Sequence, residues 1–331
     1  MKLWRLGLAA LLLVVGVVGA GAWWLQQPLS LSAPRVEISI EPGTAPQEVA
    51  KLWVQAGINT SPDLLYAWFR ASGQARRIQA GSYEVEPGVT PRSLLDRMVK
   101  GEQTLEVVRL IEGWTFRQVR ERLAKAPHLK STIGPLDDAQ VAALLGIEGG
   151  RVDGWLFPDT YAYSRGVSDM TILKRAKAAM GRQLEAVWAQ RQPEVPLRTP
   201  QEMLVLASVV EKETGLAADR GLIAGVFTNR LRIGMPLQSD PTVIYGMGAQ
   251  FDGNLRRADL STDTPWNTYT RRGLPPTPIA LTGLAALRAV AMPQSTRALY
   301  FVARGDGSSV FSETLADHNR AVNQYQRGGT P

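Results

Sequence analysis

Cysteine is absent from the 331 residues, and only two histidines occur, His128 and His318. The first absence excludes disulfides, thiolate metal sites and cysteine nucleophiles together. The second leaves too little material for a Ser-His-Asp triad or a multi-histidine metal centre. No H-E-x-x-H, G-x-S-x-G or P-loop spacing appears. The chain is therefore expected to work without metal or cofactor, and its stability must come from packing. A long basic run is also missing. The net charge of +7 is spread over pairs such as Arg76-Arg77, Arg256-Arg257 and Arg271-Arg272, which read as solvated faces and not as a nucleic-acid track.

What is present begins at the N-terminus. Residues 6–25 form an uncharged apolar run that, as a helix, matches a bilayer core of about 30 Å. Lys2 and Arg5 precede it and Trp23 and Trp24 close it, so the positive-inside rule and the aromatic belt put the N-terminus in the cytoplasm. Ala20-Gly21-Ala22 also resembles a signal-peptide cleavage site. Both readings place the chain beyond residue 26 outside the cytoplasm, which argues against a nucleic-acid partner.

Further along, a Pro- and Ser-containing linker (28–34) leads into Val36-Glu37-Ile38-Ser39-Ile40, alternating as a half-buried strand does. Residues 46–56 and 62–71 read as helices and 81–85 as a second strand. Thr90-Pro91 caps a helix ending near Gly101. The result is a β-α-α-β unit with an appended helix. Glu41-Pro-Gly, Glu86-Pro-Gly and Glu112-Gly-Trp echo one another, each joining a strand-like to a helix-like segment. A second region opens with a strand at 107–111 and a helix near 116–125, followed by helices at 169–191, 200–214 and 217–233. Residues 235–278, rich in Gly, Pro, Asp, Asn and Thr, read as long functional loops. A helix (282–292), a hairpin (299–311) and a terminal helix close the chain. The fold class expected is α+β, divided into 1–33, 34–103 and 104–331.

Carboxylate chemistry remains after these exclusions, and the segment 199–215 is the informative one. Thr199 and Glu202 form a capping box with Pro200 at the first helical position, and Gly215 supplies a stop. At 100° per residue Met203, Leu206, Ala207 and Val210 share a face, with Gln201, Ser208 and Lys212 opposite. Glu213 falls nearer the apolar arc than Glu211 does, and burial there raises a carboxyl pKa, as a general acid near neutral pH requires. A solvated helix end accounts for the same residues equally well on geometry alone.

Ala207-Ser-Val-Val-Glu-Lys-Glu-Thr214, Asn229-Arg-Leu-Arg-Ile-Gly-Met235, Leu237-Gln-Ser-Asp-Pro-Thr-Val-Ile-Tyr-Gly246 and Trp266-Asn-Thr-Tyr-Thr270 with Gly273-Leu-Pro-Pro276 closely resemble the endolytic murein transglycosylase (YceG-like) family. Gly154-Trp-Leu-Phe-Pro-Asp-Thr160 and the N-terminal segments extend the likeness over nearly the whole chain. The resemblance implies a LysM-like module (34–103) before a catalytic domain (104–331), anchored in the inner membrane by one helix with the catalytic domain in the periplasm. It implies cleavage of the β-1,4 MurNAc-GlcNAc bond of nascent peptidoglycan, leaving a 1,6-anhydro end, in cell-wall synthesis and strand termination. Glu213 takes the place of the family's catalytic glutamate, one carboxyl first donating and then accepting a proton. Gln238, Ser239, Asp240, Tyr245, Asn267 and Tyr269 would bind substrate, with Glu211 and Glu112 as further candidates, whereas Trp155 and Asp159 read as structural. Glycan strands are the implied partner, together with wall-synthesis enzymes such as penicillin-binding proteins. A hydrolytic muramidase and a non-catalytic wall-binding scaffold stand as alternatives.

Overall fold

Short-range sequence signals account for most of the elements seen in the computed structural model, which describes residues 2–326 and Gly328. In chain order these are α1 (Lys2–Trp24), β1 (Ser30–Leu31), β2 (Val36–Ile40), α2 (Pro46–Ala56), β3 (Ile58–Asn59), α3 (Pro62–Ala71), β4 (Gly81–Val85), α4 (Pro91–Lys100) and β5 (Leu105–Arg109). There follow α5 (Phe116–Ala124), α6 (Asp138–Leu144), β6 (Thr160–Ser164), α7 (Asp169–Trp188), α8 (Pro200–Glu213), α9 (Ala217–Arg232), α10 (Asp240–Met247) and α11 (Arg257–Ser261). The last are α12 (Leu284–Ala291), β7 (Tyr300–Ala303), β8 (Ser309–Ser312) and α13 (Leu315–Gln326). The fold mixes helices with small antiparallel sheets, as an α+β class requires.

Among the described residues no helix is both long and apolar enough to cross a membrane. In α1 the side chains of residues 2–7, 9 and 10 lie outside that description, and those of Leu11–Val18 are exposed.

The chain divides into two units. One comprises the residues up to Val107 with Ala162–Val167, and the other Val108–Tyr161 with the residues from Ser168 on. In the first unit β2 pairs with β4 antiparallel, Val36 opposite Val85 and Ile40 opposite Gly81. The inward residues Val36, Ile38 and Ile40 meet Val49, Trp53, Leu65 and Phe69 of the two helices in one buried core, which is why the strand alternates. Thr90 caps α4 with a full capping box, and Gly101 ends it at φ 69°, a left-handed conformation that glycine adopts freely.

The second unit is built around α8. Every residue from Met203 to Val210 is buried, because α7, α9, α10 and α12 all pack on it.

Five sequence expectations differ from the structure. The strand expected at 107–111 runs over Leu105–Arg109, its bounds set by pairing with β6. That partner carries a strand signal of its own, since Thr160-Tyr-Ala-Tyr-Ser164 alternates with Tyr161 and Tyr163 buried. The region 235–278 is not wholly irregular, since α10 starts at Asp240-Pro241 with proline in its first turn, and α11 follows. Its glycines discouraged a helix, yet at Gly246 a Cβ would lie 2.5 Å from Thr264 Oγ1, so close packing demands one there. Nor does Gly215 stop α8: Thr214 does so by turning extended, φ −147° and ψ 136°. At the other end of α8, Thr199 Oγ1 accepts from Glu202 N–H (3.1 Å), but the Glu202 carboxylate reaches Arg198 N–H (2.6 Å) and so caps one residue early. Finally, Ser208 is not on a solvent face. It is fully buried, donating to Val205 O (2.7 Å) and accepting from Ile279 N–H (3.0 Å).

Candidate active site

The buried helix α8 delivers Glu213 as its last residue. Lys212, one position earlier, is exposed and donates to Gly113 O at 3.2 Å. Glu213 itself stays partly open to solvent, yet its carboxyl group is closely surrounded. Ser239, only 1% exposed, donates its hydroxyl to Glu213 Oε1. That leaves Oε2 without a hydrogen-bond partner among the described residues and able to carry a proton in transit. Burial pushes the Glu213 carboxyl up from 4.5 to about 7, the Ser239 hydrogen bond opposing, the Asp240 charge adding, and the Arg230 cation opposing. The negative end of the α8 dipole acts in the same upward direction. The acid can therefore be protonated near neutral pH and still release its proton, as a group with two opposite proton transfers to perform requires.

The segment bearing Ser239 is held from three sides. Gln238 N–H donates to Thr268 O (3.1 Å) and Ser239 N–H to Thr268 Oγ1 (3.0 Å). Arg230, from α9 and 6% exposed, donates through Nη1 to Leu237 O (2.5 Å) and through Nε to Leu299 O (2.7 Å). Gln238 takes φ 49°, an uncommon conformation for a residue with a Cβ, and one that marks a constrained site. Tyr269 donates its hydroxyl to Asp240 Oδ1 at 2.6 Å. Burial and the Asp240 charge both raise the Tyr269 phenol, so it stays a neutral donor.

Glu213 lines two open clefts. One, of about 450 Å³, carries Arg230, Gln238, Asp240, Tyr269, Tyr300 and His318. The other, of about 480 Å³, carries Glu112, Trp114, Glu211, Lys212 and Arg220. The carboxyl thus stands where an elongated ligand lying in both clefts would pass. Glu211 accepts from Gly283 N–H (2.9 Å), and burial raises its carboxyl against that bond, with the Glu112 charge adding. A Cβ on Gly283 would lie 1.9 Å from Glu112 Oε1, so the Glu112 carboxylate sits directly against the glycine whose N–H donates to Glu211.

The other candidates fall elsewhere. Ser239 is a partner of the acid and is too buried to be a sugar contact. Asn267 is fully buried, its amide donating to Leu260 O (3.0 Å) and Thr262 O (2.7 Å) while its oxygen accepts from Tyr269 N–H (2.8 Å). It clamps the loop that presents Tyr269 and has no surface left for substrate. Tyr245 lines a third cleft, of about 640 Å³, which shares Gln118 and Lys212 with the 480 Å³ cleft and lacks Glu213. Trp155 packs on the core, and Asp159 bonds its neighbour's N–H, that of Thr160 (2.7 Å). Sequence reasoning missed Arg230, Tyr300 and His318. Arg230 lies within a quoted motif but gave no sign of burial, and His318 stacks on Tyr300 at 5.3 Å from α13, far along the chain. Among the described residues no group of three or more His, Asp or Glu could hold a metal ion.

The family model described as "YceG-like family" matches residues 38–324. The chain belongs to the YceG-like family. A Bacillus subtilis relative named endolytic murein transglycosylase is 30% identical over 89% of this chain and 86% of its own length. A Streptococcus pneumoniae relative of the same name is 26% identical over 88% of this chain, which spans 58% of that longer protein. The crystal structure of a yceG-like protein from Listeria monocytogenes, 26% identical, superposes with a TM-score of 0.56 over 88% of this chain and 99% of that one.

Proposed function

We propose that this chain is a lytic transglycosylase that cleaves peptidoglycan glycan strands internally, with Glu213 as sole acid and base. The observation that carries the reading is a single carboxyl, raised to about 7, standing at the junction of two clefts. Protonated Glu213 donates to the glycosidic oxygen as the bond to the muramyl anomeric carbon breaks. The carboxylate so formed takes the proton of the muramyl 6-hydroxyl while that oxygen closes on the same carbon, giving a 1,6-anhydro end. Ser239 holds the carboxyl, and Arg230 holds the segment that bears Ser239, through both transfers. Relatives named endolytic murein transglycosylase along most of the chain support the same activity.

The finer assignment is a single-pass anchor in the inner membrane, a LysM-like module and a periplasmic catalytic domain, working beside penicillin-binding proteins and other wall-synthesis enzymes. The anchor is supported by the uncharged apolar run 6–25 with Lys2 and Arg5 before it and Trp23 and Trp24 at its end, a run of the length a bilayer core of about 30 Å needs. The module is supported by the succession of β2, α2, α3 and β4, with only the two-residue β3 between the helices, around a core of their own. The partners rest on the family resemblance alone.

Mass spectrometry of the products from purified glycan tests the activity. Wild type should release fragments one water lighter than hydrolysis products, and Glu213→Gln, which keeps the shape and the Ser239 bond, should release none while staying folded. Products carrying the extra water would replace the lyase with a muramidase. Full activity in the variant would remove Glu213 from its role.

A further inference from the structure

The third cleft in the catalytic unit, of about 640 Å³, lies beside the chemistry and not on it. It meets the 480 Å³ catalytic cleft through Gln118 and Lys212, which line both. Its lining combines apolar surface from Ile244 and Phe251 with exposed cations, Arg117, Arg151 and Lys212. The acids nearby are already engaged. Asp138 pairs with Arg120 at 3.3 Å. Asp153 is buried, one oxygen accepting from Phe116 N–H (2.7 Å) and the other from Tyr245 OH (2.8 Å). Among the described residues no carboxylate makes ion-pair contact with Arg117 or Arg151.

Arg151 is also held ready. Its guanidinium lies 4.9 Å over the Trp266 ring. That ring is fixed by its Nε1 donating to Thr277 Oγ1 (3.0 Å) and by an edge contact of 5.4 Å with Tyr245. A stacked guanidinium keeps its N–H edge free for a planar anion and loses little freedom on binding one. Hydroxyl-rich sugar rings carry no charge, and the single lactyl carboxylate of a peptide-free muramyl residue can match only one of the three cations. The peptide borne on the muramyl lactyl group matches more, with free carboxylates separated by alanine methyls.

We propose that this cleft binds the stem peptide of the muramyl residue next to the scissile bond, its carboxylates on Arg151, Arg117 and Lys212 and its methyls on Ile244 and Phe251. The assignment deepens the glycan-cleaving reading and rests on it. It makes peptide-bearing strands the preferred substrate.

The test is binding by the full-length chain in detergent carrying Glu213→Gln, which removes turnover. Uncrosslinked strands with their peptides are compared with the same strands stripped by an amidase. Peptide-bearing strands should bind ~10-fold tighter, the worth of one charge-assisted pair. Adding Arg151→Ala should erase that difference without weakening binding of stripped strands, and Arg151→Lys should restore it in part. Equal affinity for the two substrates in the parent, or an Arg151→Ala loss that is the same for both, would overturn the proposal. Cleavage by the wild-type chain, scored separately on stripped strands, reports on the catalytic reading alone.

Discussion

At residue scale the decisive quantity is the balance on Glu213. Its carboxyl is raised by burial to about 7, so the form able to donate is lost above that pH. Activity on glycan should fall ~10-fold per pH unit above about 7 in a kcat/KM profile. The Ser239 hydrogen bond pulls the other way. Ser239→Ala should therefore move this limb to higher pH while cutting the rate ~10-fold or more, because a bond to a charged group is worth about 1.5–3 kcal/mol. A rate loss with an unmoved limb would reduce Ser239 to a packing role. The same raised value has a cost in stability. A carboxyl shifted upward contributes fully below the ordinary 4.5 and loses that contribution as pH rises through about 7. Thermal melting should find Glu213→Gln more stable than wild type at pH 8, by on the order of 1–3 kcal/mol, and indistinguishable from it at pH 4.

At the scale of elements, α8 positions the acid because it is packed on every side, and its neighbours are shaped to allow this. In α9, Gly225 faces the backbone of residue 294: a Cβ there would lie 2.5 Å from Gln294 O and 2.8 Å from Thr296 Cγ2. Replacing a helical glycine by alanine ordinarily gains about 1 kcal/mol. Here the clash is with a carbonyl that cannot rotate away, and overpacking costs about 1–3 kcal/mol. Gly225→Ala should thus lower the midpoint of urea unfolding, and a raised midpoint would show that the 294–296 segment yields freely.

At the scale of the molecule, the two units each have a core of their own. Trp53, fully buried in the first, donates its Nε1 to Met98 Sδ at 3.3 Å. Trp53→Ala should remove about 3–5 kcal/mol from that core. Calorimetry should show an early transition for the first unit, with the transition of the second unit unmoved. A single shifted transition would instead mean that the units unfold together.

The sequence by itself determined those features that depend on neighbours within a turn or two: the capped starts of α4 and α8, the alternation in β2, and the arrival of Glu213 at the end of an apolar helix. Its motifs also carried the family. Tertiary structure alone decided which polar groups surround that acid, because their partners are remote in the chain. Ser239 bonds Glu213 from 26 residues away and Arg230 bonds the carbonyl of Leu299 across 69. It also decided burial. Ser208 lies on what local periodicity makes a polar face, and Asn267 reads as a loop residue open to sugar, yet both are enclosed by segments arriving from elsewhere. Helical phase specifies which side chains point the same way, and only long-range packing specifies what they meet.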